Sequence, residues 1–167
     1  MFETIEYDRE KAADYAFRWA YGRNPRYYDF QNIGGDCTNF ASQVIFAGAG
    51  HMNYTPTYGW YYRSLSDRSP SWTGVQYLYN FLTTNKGVGP FGREVPIDAV
   101  EPGDIIQLAI DRNEYHHTPV VIGIEGTPSP DTIYLAAHSA NANCRVLSSY
   151  YYRKIRAVHI EGVRIQI

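Results

Sequence analysis

The hydrophobic pattern of this chain changes period once along its length, and that change limits the folds open to it. In the first half, apolar residues recur at helical spacing. Asp8 reads as an N-cap, and Ala12, Ala13, Ala16, Phe17 and Ala20 follow until Gly22 and Asn24-Pro25 end the run. A second helix begins near Asp36-Cys37, where Phe40, Ala41, Val44 and Ile45 share one face, and Gly48 is expected to stop it. A third carries Val75, Leu78, Tyr79 and Leu82, from Ser71 or Thr73 to about Thr84. Beyond Gly87 the pattern becomes short β-like runs at 104–110, 118–124, 132–138 and 155–160, with a further strand at 163–167. Helices first and strands second predict an α+β fold, N-terminal helices packed on a C-terminal antiparallel sheet. With no linker or repeat in 167 residues, the expectation is a single domain, 1–167.

Composition narrows the function. Hydrophobic residues make up 44%, charged residues 19%, and the formal net charge is -2. That is neither a disordered chain nor a basic nucleic-acid binder, so no nucleic-acid partner is expected. No apolar run is long enough to cross a bilayer, and the acidic start Met-Phe-Glu-Thr-Ile-Glu has no signal-peptide core. The chain is expected to be a monomer without a membrane span, its localisation left open. The 16 Tyr and 3 Trp either pad the core or face a sugar or peptide groove. Residues 50–71, around Trp60-Tyr61-Tyr62, read as a long aromatic loop able to wall such a groove.

The chemistry concentrates at Cys37. A thiol attacks a carbonyl as thiolate, and a helix N-terminus stabilises that anion. Gly34-Gly35 allows a tight turn before the sulfur, Asp36 can cap the helix, and free amides there can hold an oxyanion. The competing reading is an inert helical cysteine filling core. A nucleophile needs a base and an orienting partner. His117 opens the strand Thr118-Pro119-Val120-Val121-Ile122-Gly123, and His138 ends the apolar run Ile133-Tyr134-Leu135-Ala136-Ala137 on the expected neighbouring strand. In a matching register His138 orients His117. His116 competes with His117 on spacing, but consecutive strand residues face opposite sides. His51 and His159 read as loop and surface residues. No C-x-x-C or H-x-x-x-H spacing exists, so no metal site is expected, and a Cys-His mechanism requires no cofactor.

The residues resemble a known family. Asn24-Pro25-Arg26-Tyr27-Tyr28-Asp29-Phe30, followed by Gly34-Gly35-Asp36-Cys37-Thr38-Asn39-Phe40-Ala41-Ser42-Gln43, is similar to the signature of the bacterial putative amidase domain family, a papain-like, NlpC/P60-related branch of cysteine peptidases and amidases. Tyr7-Asp8-Arg9 resembles its opening helix, Trp60-Tyr61-Tyr62 and Ser71-Trp72 its aromatic middle, and His117-Thr118-Pro119-Val120-Val121 its His strand. The resemblance runs from about Tyr7 to His159. It implies a papain-like (NlpC/P60-like) fold, Cys37 as nucleophile, His117 as base, and a polar third member on the next strand, a place His138 fits. It also implies a groove tyrosine, Tyr27 or Tyr28; Tyr28, Trp60 and Trp72 are the expected substrate-binding residues. Gln31, six residues before Cys37, has the spacing of the papain-like oxyanion glutamine. Asn39 is expected to bond local backbone. Pro119 removes a donor from the His strand and predicts an edge position or a bulge.

The expected function is a cysteine amidohydrolase acting on a peptide amide, with bacterial cell-wall peptides the substrate class that the resemblance implies. The natural protein would then be a cytoplasmic chain or the extracellular domain of a longer one. Three rivals stand beside it: acyl transfer or ester hydrolysis by the same triad, a non-catalytic module whose Trp60, Trp72 and tyrosines stack on glycan or peptide while the Cys-His pair is vestigial, and a structural disulfide between Cys37 and Cys144.

Overall fold

The computed structural model describes residues 1–167. In chain order its elements are β1 (Phe2–Ile5), α1 (Arg9–Trp19), α2 (Cys37–Ala49), β2 (Tyr62–Ser64), β3 (Asp67–Arg68), α3 (Pro70–Thr73), α4 (Val75–Thr84), β4 (Gly89–Val95), β5 (Ile105–Ala109), β6 (Val120–Ile124), β7 (Ile133–Ala137), β8 (Ala142–Val146) and β9 (Lys154–Gln166). Seven strands form one antiparallel sheet, and β2 and β3 form a separate ribbon. The chain is therefore α+β, as the change of period predicts.

Strand β9 is the spine of the sheet. Along one edge it pairs with β4, and along the other with β5 and then β1. The runs at 155–160 and 163–167 are thus one strand, and Glu161-Gly162 makes no turn: Gly162 stays paired with Phe91 of β4, and Glu161 is the extra residue opposite the register irregularity between Phe91 and Gly92. Strand β4 was hidden by Gly89, Pro90 and Gly92. Gly92 is required there, because a Cβ would meet the His159 carbonyl oxygen at 2.2 Å. Strand β6 is interior, between β5 and β7, with Pro119 just before its first residue and a register irregularity between Val121 and Gly123. Pro119 is not on an edge; its carbonyl accepts from Ile106 N.

Alternation along the central strands buries both faces. Ile105, Val120, Ala136 and Val158 join the helix-side core, with Phe40, Val44 and Ile45 of α2 and Leu78 and Leu82 of α4. Ile106, Leu108, Val121, Leu135 and Ala157 join a smaller core on the opposite face, closed by Val95, Val100, Leu147 and Tyr150.

Local chemistry sets the helix ends. Asp8 caps α1 as expected, its side chain accepting from Lys11 N at 3.0 Å. Gly48 does not stop α2. It lies inside the helix where α1 enters, with Asp8 N donating to its carbonyl, and a Cβ there would lie 2.6 Å from the Asp8 oxygen. The stop is Gly50, at φ 71°, whose N–H donates to Phe46. The expected third helix is two helices, because Gly74 adopts extended backbone between α3 and α4.

Candidate active site

Helix α2 runs through the centre of the helical layer and is buried on nearly every side, so its polar residues must find partners inside the protein. Ser42 donates to the Trp72 carbonyl and accepts from the Trp60 indole. Asn39 donates to the Tyr28 carbonyl and to Asp36, and accepts from the Trp72 indole at 3.0 Å. Gln43 accepts from the Tyr15 hydroxyl. These bonds fix the pitch and rotation of α2, and with them the place of its first residue, Cys37.

The Cys37 sulfur is packed against the His strand. Its Sγ lies 3.7 Å from the His116 carbonyl oxygen and 3.7 Å from the Thr38 hydroxyl, which in turn meets the Thr118 hydroxyl at 3.2 Å. Burial pushes the thiol up, the Asp36 carboxylate adds to this, and the Thr38 hydroxyl and the Thr118 and Thr38 amides oppose it. The thiolate expected from the helix N-terminus is therefore corrected: at rest burial outweighs the amides, and the sulfur keeps its proton.

Asp36 does not cap α2. Its carboxylate turns back into the protein, accepting from Phe30 N and Asn39 at 2.8 Å each and facing His138 Nδ1 at 2.5 Å. Burial alone would raise this carboxyl, but the bonds from His138, Asn39 and Phe30 hold it below the usual range. The other His138 nitrogen faces the Trp19 carbonyl at 2.8 Å, and the ring stacks on Phe40. Both His138 nitrogens are thus taken on the helix side of the sheet, and the expectation that His138 orients His117 is not met. What His138 positions is Asp36, the residue that leads into Cys37. The Asp36 N–H is held as well, donating to Ser139 Oγ at 2.7 Å from the β7–β8 turn.

His117 is bonded to neither Asp36 nor His138. Its backbone bridges Leu108, and its buried ring approaches the Tyr150 ring without a hydrogen bond to any side chain. Burial lowers it to about 4, helped by the charges of His116 and Arg145, so the imidazole is neutral at pH 7. No hydrogen bond joins it to Sγ; the two residues adjoin through the His116–Thr118 backbone. His116 is turned away, its ring bonded to Glu114 O and near Asp111. His117, His116 and Ser139 line a cleft of about 330 Å³. A larger one, about 470 Å³, lies between Phe17 and Tyr134, and neither Cys37 nor His117 lines it.

The remaining expected site residues divide. Trp60 and Trp72 are fully buried and pack on each other 4.8 Å apart, so they are core and not groove. Large aromatic area and an indole N–H with a buried acceptor give the physical reason. Tyr28 is 40% exposed, but it does not line the His117 cleft. Gln31 is exposed and reaches only Arg23. His159 is not a plain surface residue; it bonds Asp104, a fully buried carboxylate also held by Arg9. Both cysteines are free, Cys37 buried and Cys144 exposed, which removes the disulfide reading. Ser139, Arg145 and Tyr150 escaped the sequence reading because strand β8 and the turn before it show no clean alternation.

Protein YhbB of Bacillus subtilis (strain 168), which is uncharacterized, is 32% identical over 122 residues, 71% of this chain and 38% of YhbB. The chain thus spans well under half the length of that relative. No solved structure matches. The family described as putative amidase domain matches residues 6–161, from before α1 into β9 and across Cys37, His117 and His138, and the chain belongs to that family.

Proposed function

We propose that the protein is a cysteine amidohydrolase of papain-like layout, with Cys37 as nucleophile and His117 as general base, and that peptides of the bacterial cell wall are its substrate class. The observation that carries this reading is the seat of Cys37 at the start of a buried helix, its sulfur 3.7 Å from the backbone of the strand that opens with a neutral, unbonded imidazole. Membership of the putative amidase domain family supports the amide as the bond attacked. The burial of Trp60 and Trp72 takes both tryptophans away from a non-catalytic aromatic groove.

In the mechanism, His117 takes the thiol proton as Sγ adds to the amide carbonyl, and the resulting imidazolium delivers it to the departing amine. Water, deprotonated by the same ring, then cleaves the thioester and frees the thiol. The Cys37 N–H has no partner within the protein and is available to the tetrahedral oxyanion. Catalytic hydrogen bonds often tighten only when substrate is bound, which accords with the open Cys37–His117 pair.

The test is release of new amino groups from cell-wall stem peptides by the native protein and by Cys37→Ala and His117→Ala. Cys37→Ala is expected to abolish turnover, and His117→Ala to slow it by about 10²–10⁴-fold. Turnover that survives Cys37→Ala, or none from any peptide amide, would overturn the proposal.

A further inference from the structure

The cleft beside His117 carries chemistry that hydrolysis does not use. Arg145 of β8 and Tyr150 line it together with His116, His117, Ser139 and Tyr151, and no carboxylate does. The Arg145 guanidinium lies over the Tyr150 ring, its Cζ 3.6 Å from the ring centre. Its Nε and one terminal nitrogen are spent on Ser149, and the second terminal nitrogen has no partner. Arg145 forms no ion pair with any carboxylate of the protein. The carboxylate that pairs with a lining residue is the exposed Asp111, on His116.

A second observation is independent of the first. Tyr150 is 8% exposed, yet its hydroxyl is buried with no hydrogen-bond partner. Buried hydroxyls without partners are rare, and one in the wall of a cleft awaits an acceptor from outside. Burial keeps its proton in place against the pull of the Arg145 charge and of the Arg145 N–H group that lies close to it without hydrogen-bond geometry, so it remains a donor. A stacked guanidinium presents its free N–H groups in its own plane, the geometry that a carboxylate oxygen accepts.

We infer that Arg145 and the Tyr150 hydroxyl form a carboxylate subsite next to His117, selecting peptide substrates that carry an acidic group close to the scissile amide. The inference rests on the proposed hydrolase reading for the word substrate, but the binding it describes stands apart from turnover. The acidic group can be a side-chain carboxylate or a C-terminal one; the chemistry recognised is the same.

The experiment is a chemical-shift titration of the Cys37→Ser protein, which is expected to bind without turning over, with three acetylated dipeptides. Ac-Ala-Glu-NH2 carries a side-chain carboxylate, Ac-Ala-Gln-OH a terminal one, and Ac-Ala-Gln-NH2 neither. At least one acidic dipeptide is expected to move the His117 ring signals and bind about tenfold or more tighter than the neutral one, the effect of one charge-assisted bond pair. Which acidic dipeptide wins identifies the source. Arg145→Gln, at a half-exposed position, is expected to remove the preference, and Tyr150→Phe, which keeps the ring under Arg145, to reduce it severalfold. Equal binding of all three, no saturable shift with any, or a preference that survives Arg145→Gln would overturn the inference. Acid-selective binding without Cys37-dependent turnover would leave the subsite standing and refute the hydrolase; turnover without selectivity would do the reverse.

Discussion

Cys37 and His117 are displaced in opposite directions by one cause, burial, which disfavours whichever form carries charge. The thiol is raised and the imidazole lowered to about 4, so at neutral pH both are uncharged and the base is already free. This differs from a resting thiolate–imidazolium pair and predicts a different pH profile. In the proposed mechanism His117 serves as base until it is protonated, so kcat/KM for amide hydrolysis is expected to stay high as pH falls from 7 to 5 and to drop as pH passes about 4. Initial rates from pH 3 to 8, with fluorescence confirming the folded state at each point, test this. An acid limb near 6.5 would mean that His117 titrates as if solvated. The placement of Cys37 and His117 was legible in the sequence, because a cysteine at a helix start and a histidine ahead of an apolar strand are local patterns. The bond from His138 to Asp36 was not, since it joins residues 102 positions apart through the register of β7 against the entry to α2.

Among the elements, the turn between β7 and β8 bears most directly on the site. Ser139 and Ala140 both adopt left-handed backbone, at φ 60° and 73°, a pair of conformations that Asn-Gly fills at lower cost. The conformation points Ser139 Oγ at the Asp36 N–H, immediately before Cys37. Strain kept at this position is relieved by glycine where no side chain is used. Ala140→Gly is expected to stabilise the protein by about 0.5–1 kcal/mol, read as a higher urea midpoint with an unchanged slope. A lower midpoint would show that the Ala140 methyl group packs usefully. Element type was legible wherever a run was long and periodic, as in α1, α2, β5, β6 and β7. Strand β1 is four residues long, and β4 is punctuated by glycine and proline; each is a strand because β9 offers an open edge beside it.

At the scale of the whole molecule, the aromatic residues divide: Trp60 and Trp72 serve the core, while most tyrosines stay at least partly exposed. Trp60 packs between Trp72 and Phe81, with both indole N–H groups bonded to α2 side chains. Trp72→Ala is therefore expected to cost about 3–5 kcal/mol in urea unfolding, as a large buried side chain does. A loss below about 1 kcal/mol would contradict its place in the core. Composition could not distinguish a core from a groove, because the same side chain suits both and only packing decides which surface it meets. By itself the sequence determined the α+β class, the helix that bears Cys37 and the strand that His117 opens, since periodicity, caps and turn residues act over a few neighbours. The tertiary structure alone decided that the tryptophans are interior, that His138 serves Asp36, and that Arg145 and Tyr150 meet beside His117. Those facts depend on strand register and on the burial of charge, which arise only when distant segments are brought together.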